Sequence, residues 1–321
     1  MLKELKFVQG AVAKRDLMPA MTHFRIENGF VRAYNGVLAL CSPIDCDINC
    51  IPKADKMVKA IARCNDVMTM SMHDNGRLEI SSGPFRVFID CIDDDSQHIE
   101  PVGECVDFDG EGILKALKAL SPFIGEDASR PWTNGVLLRN HSAFATNNVC
   151  LVEYWLGTKF PVTINLPEVA ITEMLRINEP PTNAQMDQNS ITFHYSDGRW
   201  IRSQLLENGW PDIERILNVK SNATSIDPRL FEALETLEGF TDKAGRVFMR
   251  NGILRTEDDD ANSGAGYEVE GLGIEGAYQI KMLRLLKDAA THADFTRYPE
   301  PTMFFGTMLR GAILGMRLSD A

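Results

Sequence analysis

The motif that comes nearest to a cofactor site is Gly271-Leu-Gly-Ile-Glu-Gly276, which has the GxGxxG spacing of dinucleotide-binding proteins. It follows the strand-like stretch Tyr267-Glu-Val-Glu270 and precedes a predicted helix, which is the context such a motif needs. However, this strand alternates apolar with acidic residues, whereas the parallel strands of a dinucleotide fold are buried on both faces. Only 45 residues follow Gly276, too few to complete that sheet. An NAD-dependent dehydrogenase is therefore the weaker alternative.

Acidic clusters offer a second candidate chemistry, that of a metal-dependent hydrolase. Asp93-Asp94-Asp95 with His98, and the run from Glu257 to Asp260, supply carboxylates, but acidic runs are usually solvated loops. The six histidines include no pair at i,i+4 that would place two zinc ligands on one helix face. The sequence also contains no GxSxG, P-loop or HExxH motif. We therefore expect no catalytic residue, no metal site, no cofactor and no enzymatic activity.

Basic residues are concentrated on one arc of each of two predicted helices, an arc of about 120° at 100° per residue. They are Lys53, Lys56, Lys59 and Arg63 on the first helix and Lys281, Arg284 and Lys287 on the second. The opposite, apolar arcs carry Met57, Val58 and Ile61 on the first and Met282, Leu285, Leu286 and Ala289 on the second. The formal net charge is −12, yet six predicted helical windows together carry +5 and leave −17 on the remainder. This segregation favours a basic surface that faces a polyanion.

The composition of that basic surface indicates which polyanion contacts it can make. No aromatic residue interleaves with the basic residues, as a platform for stacking single-stranded bases would require. No Asn or Gln lies on the same arcs to read base edges. The pattern is typical of phosphate contact without sequence readout, which is sensitive to salt and permits sliding.

The helices that carry these charges belong to a unit repeated three times, with a period of about 110 residues. Each unit opens with an amphipathic helix and carries a second one about fifty residues later. In chain order the predicted helices are Leu2–Ala13, Lys53–Cys64, Glu111–Ile124, Glu168–Ile177, Pro228–Leu237 and Tyr278–Ala289. Hairpins follow the second helices at Asp74–Gly76, Ser196–Gly198 and Met303–Leu318. We expect an α+β fold of three domains, 1–103, 104–218 and 219–321, each with two helices and seven or eight short antiparallel strands.

Length and composition indicate in which cellular compartment this repeat protein is expected. The 321 residues contain no apolar run of about 18, so no membrane-spanning segment is expected. Charges interrupt the N-terminal stretch, which argues against a secretory leader. Seven cysteines, an odd number without a CxxC pair, favour reduced thiols in the cytoplasm over a disulfide framework.

Several segments resemble the bacterial replicative-polymerase β sliding clamp family, and the resemblance covers nearly the whole chain. The strand Arg130-Pro-Trp-Thr-Asn-Gly-Val-Leu-Leu138 is similar to the family's Arg-aromatic-aromatic-Leu-Asn-Gly-Val/Met-Leu. The run Gly209-Trp-Pro-Asp-Ile-Glu-Arg-Ile-Leu217 resembles Gly-x-Phe-Pro-Asp-Tyr-x-Arg-Val-Leu, and Gly315-Met-Arg-Leu318 resembles the closing Pro-Met-Arg-Leu. The short, divergent chain also fits a phage member of the family.

The resemblance implies a fold, an assembly and partners. The fold would be three similar α+β domains per chain, and two chains would close head-to-tail into a homodimeric ring with helices lining the hole. Such a ring encircles duplex DNA without sequence specificity and tethers the replicative DNA polymerase, and polymerase and clamp loader bind it through a short peptide motif. The implied DNA-contacting set is Arg15, Lys53, Lys56, Lys59, Arg63, Lys115, Lys118, Arg130, Arg176, Lys281, Arg284 and Lys287.

The resemblance also implies an apolar pocket for the partner peptide. Its residues would be Thr146, Leu151, Pro211, Arg215, Ile216, Ile313, Leu314, Met316, Arg317 and Leu318. This sequence departs from the family at Asn147–Cys150, where the family has Asp-Gly-His-Arg, and at Gly315, where it has proline. Ser319–Ala321 extend beyond the usual last leucine. The remaining alternative of another class is a multidomain protein-binding scaffold that does not contact DNA.

Overall fold

The computed structural model describes residues 1–15, 18–65, 67–94, 99–207, 209–258 and 263–316. The chain forms two compact units, Met1–Leu114 with Val169–Leu205, and Lys115–Glu168 with Leu206–Ala321. These units do not coincide with the three predicted domains, because a sheet in each unit joins strands from consecutive repeats. The boundaries near residues 103 and 218 stay a prediction.

All six predicted helices are present, and most are shorter than the periodicity predicts. The α-helices are α1 (Leu2–Val8), α2 (Ala54–Ile61), α3 (Gly110–Leu120), α4 (Glu168–Ile177), α5 (Ile213–Leu217), α6 (Arg229–Leu237), α7 (Ile280–Arg284) and α8 (Leu286–Ala289). α1 and α3 continue as 3-10 turns at Gln9–Ala11 and Ser121–Phe123. The predicted helix Tyr278–Ala289 starts two residues late and is interrupted at Leu285. The short α5 is an additional helix that the sequence did not predict.

The strands number six, six and eight in the three predicted domains, counted over the described residues. They are β1 (Arg25–Glu27), β2 (Phe30–Tyr34), β3 (Leu38–Pro43), β4 (Thr69–Met72), β5 (Arg77–Ser82), β6 (Phe85–Asp90), β7 (Glu104–Val106), β8 (Gly135–Thr146), β9 (Cys150–Pro167), β10 (Asn183–Met186), β11 (Ser190–His194), β12 (Trp200–Gln204), β13 (Thr224–Ser225), β14 (Arg246–Arg250), β15 (Ile253–Arg255), β16 (Gly266–Glu268), β17 (Gly276–Gln279), β18 (His292–Asp294), β19 (Thr302–Phe305) and β20 (Leu309–Ile313). The sequence predicted that all strands are short, which is wrong for β8 and β9, because they span 12 and 18 residues. Their ladder absorbs register shifts around Asn140 instead of breaking into separate strands.

The first unit contains a seven-stranded sheet in the order β1-β2-β3-β12-β11-β10-β7 and a three-stranded sheet in the order β4-β5-β6. Every pairing in both sheets is antiparallel. The pairing of β3 with β12 sets Leu38–Cys41 against Trp200–Ser203 and so joins the first predicted domain to the second.

The second unit repeats this arrangement with a six-stranded sheet, β13-β18-β19-β20-β9-β8, and a four-stranded sheet, β16-β15-β14-β17. Its pairings are also antiparallel. Here β9 pairs with β20, with Cys150 opposite Ile313 and Tyr154 opposite Leu309, so the second and third predicted domains share a sheet. The mixed, antiparallel α+β architecture confirms the predicted fold class.

The GxGxxG segment forms the connection that leads into β17 of the four-stranded sheet and does not open a helix. Gly276 is the first residue of β17, which pairs antiparallel with β14 before α7 begins at Ile280. A dinucleotide site needs the glycine turn to pass from a parallel strand directly into a helix. The geometry therefore does not favour the dehydrogenase alternative.

The metal alternative receives no support from the described part of the chain, where no group of three or more His, Cys, Asp or Glu side chains could hold an ion. The predicted members Asp95, His98, Asp259 and Asp260 lie outside the described residues. Within the same described ranges, no helix is long and apolar enough to cross a membrane.

Each helix buries one face. The buried face agrees with the predicted apolar arc better in α2 than in α7 and α8. In α2 the buried side chains include Met57 and Ile61, on the predicted apolar arc. In α7 and α8 they are Ile280, Leu283 and Leu286, so only Leu286 of the predicted apolar arc is fully buried, and Met282, Leu285 and Ala289 are half-buried. The interruption at Leu285 explains the difference, because a helical wheel drawn through it assigns the wrong faces.

A buried arginine fastens α1 to the second repeat within the first unit. The Arg199 guanidinium lies 4.8 Å from the ring centroid of Phe7 and 5.4 Å from that of Tyr195. Its Nε lies 2.6 Å from Asp197 Oδ2, and Nη2 bonds the Glu179 carboxylate. Arg199 is 7% exposed, so its charge needs both the carboxylates and the ring faces.

We expect Arg199→Ala to destabilise the protein by about 2 kcal/mol, because it removes the cation–π contacts and breaks a partly buried ion-pair cluster. Urea unfolding followed by circular dichroism measures the loss. The control is Arg77→Ala, which removes an exposed ion pair with Asp90 and should cost less than about 0.5 kcal/mol. Equal losses in both variants would contradict a special role for Arg199.

The same cluster has a pH dependence of known sign. Burial raises the pKa of the Asp197 carboxyl, but hydrogen bonds from Arg199 and its charge outweigh burial and hold this pKa below its ordinary value. A carboxyl with a depressed folded-state pKa stabilises the folded state at pH values above its unfolded pKa of about 3.9. This stabilisation is lost as the pH falls from there through the folded-state pKa. The stability difference between wild type and Arg199→Ala should therefore shrink below about pH 4.

Candidate nucleic-acid and peptide interfaces

The basic face of α2 is exposed and weakly paired. Lys56 Nζ lies 3.6 Å from Asp90 Oδ2, and Lys59 Nζ lies 3.3 Å from Asp55 Oδ2. All four side chains are more than half exposed, so these pairs contribute little and can exchange for phosphate. Arg63 follows the helix, is exposed, and has no ion pair among the described residues.

Lys53 differs from the other basic residues of this segment. It is the N-cap of α2, with φ −58° and ψ 120°, so its side chain does not follow the helical wheel. Its Nζ donates to Thr22 Oγ1 at 2.7 Å, and the residue is half-buried. The prediction that Lys53 shares one helical arc with Lys56 and Lys59 is therefore wrong, because the helix begins one residue later.

The basic residues of α7 and α8 are largely neutralised by α6. Arg284 Nη1 bonds the Glu238 carboxylate, and Lys287 Nζ lies 2.6 Å from Glu235 Oε1. The Lys287 ammonium lowers the pKa of the Glu235 carboxyl, which keeps that carboxylate charged and the pair intact. Lys281 is exposed and makes no ion pair within the described ranges. The third repeat thus presents much less free positive charge than its basic residue count implies.

Two predicted DNA-contacting arginines have structural partners. Arg176 Nη2 donates to the Phe7 carbonyl at 2.7 Å and Nη1 to the Lys6 carbonyl at 3.4 Å, which satisfies the open C-terminus of α1. Arg130 Nε lies 2.8 Å from Asp127 Oδ2. Hydrogen bonds from Ser129, then Arg130, lower the pKa of Asp127 to about 2. These contacts give both arginines a structural role that does not require DNA.

The remaining predicted DNA-contacting residues are exposed at the surface. Lys115 and Lys118 lie on α3, and Arg15 lies in the loop after the first 3-10 turn. Among the predicted residues, Lys56, Lys59, Arg63, Lys118 and Arg15 therefore have the geometry that best suits phosphate contact.

The groove beside α5 brings together part of the predicted peptide pocket. It encloses about 400 Å³ and is lined by Pro211, Asp212, Arg215, Ile216, Val219, Arg297, Glu300, Pro301 and Met303. The size falls within the range of ligand sites in proteins. Sequence reasoning found Pro211, Arg215 and Ile216 but missed the other six residues. The segment Arg297-Tyr-Pro-Glu-Pro301 was the available signal, since two prolines indicate a rigid loop.

The local sequence of α5 sets its orientation beside the groove. Asp212 is its N-cap, and the carboxylate accepts a hydrogen bond from the Arg215 backbone N–H at 3.3 Å. Ile213 and Leu217 are buried in an apolar cluster, so Arg215 and Ile216 on the other face remain exposed.

The other predicted pocket residues are placed differently. Leu151 is 8% exposed and belongs to the same apolar cluster as Met303, beneath the groove. Thr146 is buried and its Oγ1 donates to the Cys150 carbonyl at 2.7 Å, and Ile313 is fully buried. Leu314 is 47% exposed. Arg317 and Leu318 lie outside the described residues.

The segment that departs from the family, Asn147–Cys150, forms a tight turn. Asn147 Oδ1 accepts hydrogen bonds from the backbone N–H of Val149 and of Cys150 at 3.1 and 2.7 Å, and Asn148 has φ +69°. The Asn147 amide also lies 3.2 Å from Met282 Sδ. Asparagine tolerates the left-handed conformation and bonds its own backbone, so this turn is stable without the family's charged residues.

Comparison with known structures identifies the fold. No protein-family model and no curated protein matches the sequence. The chain is similar to the DNA polymerase III β subunit of Caulobacter crescentus, with TM-score 0.84 and 17% identity over 99% of this chain and 97% of that one. It is also similar to the sliding clamp of Pseudomonas aeruginosa, with TM-score 0.83 and 16% identity over 99% of this chain and 97% of that one. The Helicobacter pylori β clamp bound to a DNA ligase peptide has TM-score 0.81 and 14% identity over 98% of this chain and 97% of that one. The chain has the sliding clamp fold.

We expect Glu235→Gln with Glu238→Gln to strengthen binding to duplex DNA, because the substitutions release Lys287 and Arg284 from their carboxylate partners. If both cations then contact phosphates, the slope of log K against log salt should steepen by about 2. Anisotropy of a short labelled duplex, measured over a series of salt concentrations, reports this slope.

The matched control is Glu104→Gln with Glu207→Gln, the same change in net charge at exposed residues that pair with no cation in the described structure. An equal steepening in the control would attribute the effect to net charge and contradict the proposed neutralisation of the third repeat.

Proposed function

We propose that this protein is a DNA sliding clamp, a non-enzymatic processivity factor that encircles duplex DNA and tethers a replicative DNA polymerase in the cytoplasm. The observation that carries the proposal is the correspondence of fold over 97% or more of both chains with several β sliding clamps. A correspondence of that extent leaves little of the chain for a different architecture. The exposed cations of α2 and α3 and the groove beside α5 are consistent with it.

The charge distribution supports encirclement over tight direct binding. A chain with net charge −12 repels DNA over most of its surface, whereas a few exposed lysines attract phosphate locally. Such contacts are weak, non-specific and screened by salt. Retention on DNA would then depend on topology rather than on affinity.

A closed circle distinguishes topological retention from affinity. Protein loaded onto a nicked circular plasmid should stay bound through gel filtration at elevated salt, and a single restriction cut should release it, because the protein slides off the ends. The control is the same plasmid cut before loading. Equal retention on circular and cut DNA would rule out encirclement, and no retention on either would favour the scaffold that does not contact DNA.

Two terminal strands of the described structure support the proposal that the chain closes into a ring with a second copy. In both shared sheets one strand of a repeat, β3 or β9, pairs with the last strand of the next repeat, β12 or β20. We take β16 of the third repeat and β6, the last strand of the first repeat, as the equivalent pair. Each is the terminal strand of its sheet in the described structure. Antiparallel pairing of β16 with β6 of a second copy would satisfy both edges.

The side chains on these two edges suit each other. Arg86 and Phe88 on β6 are exposed, and so is Glu268 on β16. Opposite charges and an uncovered aromatic ring are features that stabilise cross-strand pairs. Phe88, 47% exposed, would be covered by the second copy.

Phe88→Asp should weaken the dimer at least about tenfold, because a buried carboxylate without a partner costs more than 1.4 kcal/mol. Sedimentation equilibrium gives the monomer–dimer constant. Phe240→Asp is the control, since Phe240 is 66% exposed and lies in the 3-10 turn after α6, away from both edges. A concentration-independent monomer for the wild type would rule out the two-chain ring.

The groove beside α5 is the proposed binding site for partner peptides of the polymerase and the clamp loader. The Helicobacter pylori clamp structure contains a DNA ligase peptide, so a protein of this fold accepts a peptide. Here Ile216 and Val219 offer an apolar surface, and Arg215 on the rim can orient the peptide by charge. The Asn147–Cys150 turn leads us to expect a partner motif adapted to this chain.

A further inference from the structure

The first unit contains a cavity of about 200 Å³ beside its seven-stranded sheet. Residues along β2 alternate between buried and half-buried, and Arg32 and Tyr34 lie on the half-buried face. Arg32 stands opposite Cys41 of β3, which in turn stands opposite Trp200 of β12. Tyr34 stands opposite Ala39. The three neighbouring strands thus bring an arginine and two aromatic rings to one part of the sheet, and these three side chains line the cavity.

The walls of the cavity are mainly apolar. Trp200, 6% exposed, packs with Ala39 in an apolar cluster against which Tyr34 also packs, and Ile51 lines the cavity as well. The Tyr34 hydroxyl already donates to a backbone carbonyl, that of Gly36, at 2.7 Å. An engineered apolar cavity of about 150 Å³ in another protein binds benzene. The cavity described here therefore has room for one aromatic ring.

A buried histidine contributes a hydrogen-bond acceptor to the lining. His23 is 8% exposed and follows the 3-10 turn Pro19–Thr22. Its Nδ1 lies 2.6 Å from the Pro19 carbonyl oxygen. Because a carbonyl can only accept, Nδ1 carries the hydrogen, and Nε2 of the neutral ring is an acceptor. Among the described residues, Nε2 has no hydrogen-bond partner.

Arg32 contributes donors to the same lining. Its Nη2 lies 2.9 Å from Glu100 Oε1, and the guanidinium makes no other hydrogen bond or ion pair within the described ranges. Buried polar groups normally have partners. A molecule that offers an acceptor to Arg32 and a donor to His23 would supply partners for both.

The positive charges in the walls are already balanced. Arg25 Nη2 lies 3.1 Å from Asp94 Oδ2, and Arg32 is paired with Glu100 as described. An anionic ligand would lie close to both carboxylates and be repelled by them. The cavity therefore favours a neutral ligand.

We propose that this cavity is a binding site for a small neutral aromatic molecule that carries a carbonyl and an N–H, as a cyclic amide does. The ring packs against Trp200 and Tyr34, the carbonyl accepts from Arg32, and the N–H donates to His23 Nε2. An apolar pocket with a few polar groups that fix orientation is the usual form of a small-molecule site. The inference does not depend on the proposed function, because neither the groove nor the basic helices contribute to this site.

The tryptophans provide an internal control for the first test. All four lie in the described residues, and of these Trp200 alone lines the cavity. Adding 2-pyridone, a single ring with one carbonyl and one N–H, should shift the indole N–H signal of Trp200 in a nitrogen–proton correlation spectrum of the full chain. The signals of Trp132, Trp155 and Trp210 should stay in place, and loss of a signal in Trp200→Phe identifies the one that matters. An unmoved Trp200 signal, or equal shifts of all four, would overturn the proposal.

Comparison of three ligands tests the chemical class. Benzene offers the ring alone, and benzoate adds a negative charge. We expect 2-pyridone to bind at least about tenfold more tightly than either, because it alone gives partners to both polar groups without adding charge. Binding of benzene or benzoate as tight as that of 2-pyridone would show that these groups do not select the ligand, and the proposal would fall.

Two variants test the residues. Arg32→Met keeps the length of the side chain and removes its donors, so it should weaken 2-pyridone binding about tenfold and leave benzene binding unchanged. The matched control is Arg77→Met, since Arg77 is also a strand arginine paired with a carboxylate, that of Asp90, but lies outside the lining. Ala39→Leu should abolish binding of both ligands by filling the cavity. Circular dichroism checks that each variant is folded. Wild-type affinity for 2-pyridone in Arg32→Met, or an equal loss in Arg77→Met, would contradict the proposed site.

Discussion

Pairing of strand edges is the constraint on which the rest of this structure depends. A terminal strand carries a row of backbone N–H and C=O groups that must find partners or face water. Here β3 pairs with β12 and β9 pairs with β20, so each shared sheet takes strands from two repeats. For this reason the chain separates into two compact units although its sequence repeats three times. The same constraint leaves β6 and β16 as terminal strands of their sheets in the described structure.

Long-range ion pairs decide which of the basic helices is available to a polyanion. The cations of α2 meet only exposed carboxylates at 3.3 to 3.6 Å, which phosphate can displace. The cations of α7 and α8 pair with Glu235 of α6 and with Glu238 of the 3-10 turn that follows α6, closer partners that compete with phosphate. Two helices with the same sequence pattern therefore have different electrostatic roles, and the difference comes from the neighbouring helix.

The groove depends on two short elements whose anchors lie beneath or behind it. α5 has only five residues, too few to be stable alone, and Ile213 and Leu217 hold it in the apolar cluster. The loop 297–301 is fixed by arginine bonds to carbonyls and by the Tyr298 ring. An extended peptide placed between them would meet walls already held in place, which lowers the entropy cost of binding.

The sequence by itself determined the six helices, the antiparallel α+β class and the repeat, because hydrophobic periodicity and turn residues act over a few neighbouring positions. Its resemblance to the sliding clamp family located Pro211, Arg215 and Ile216 of the groove. The bond from Lys53 to Thr22 and the pairing of Arg284 with Glu238, 46 residues away, emerge only from the folded chain. The chain brings such partners together through sheet pairing and packing, which no local pattern encodes.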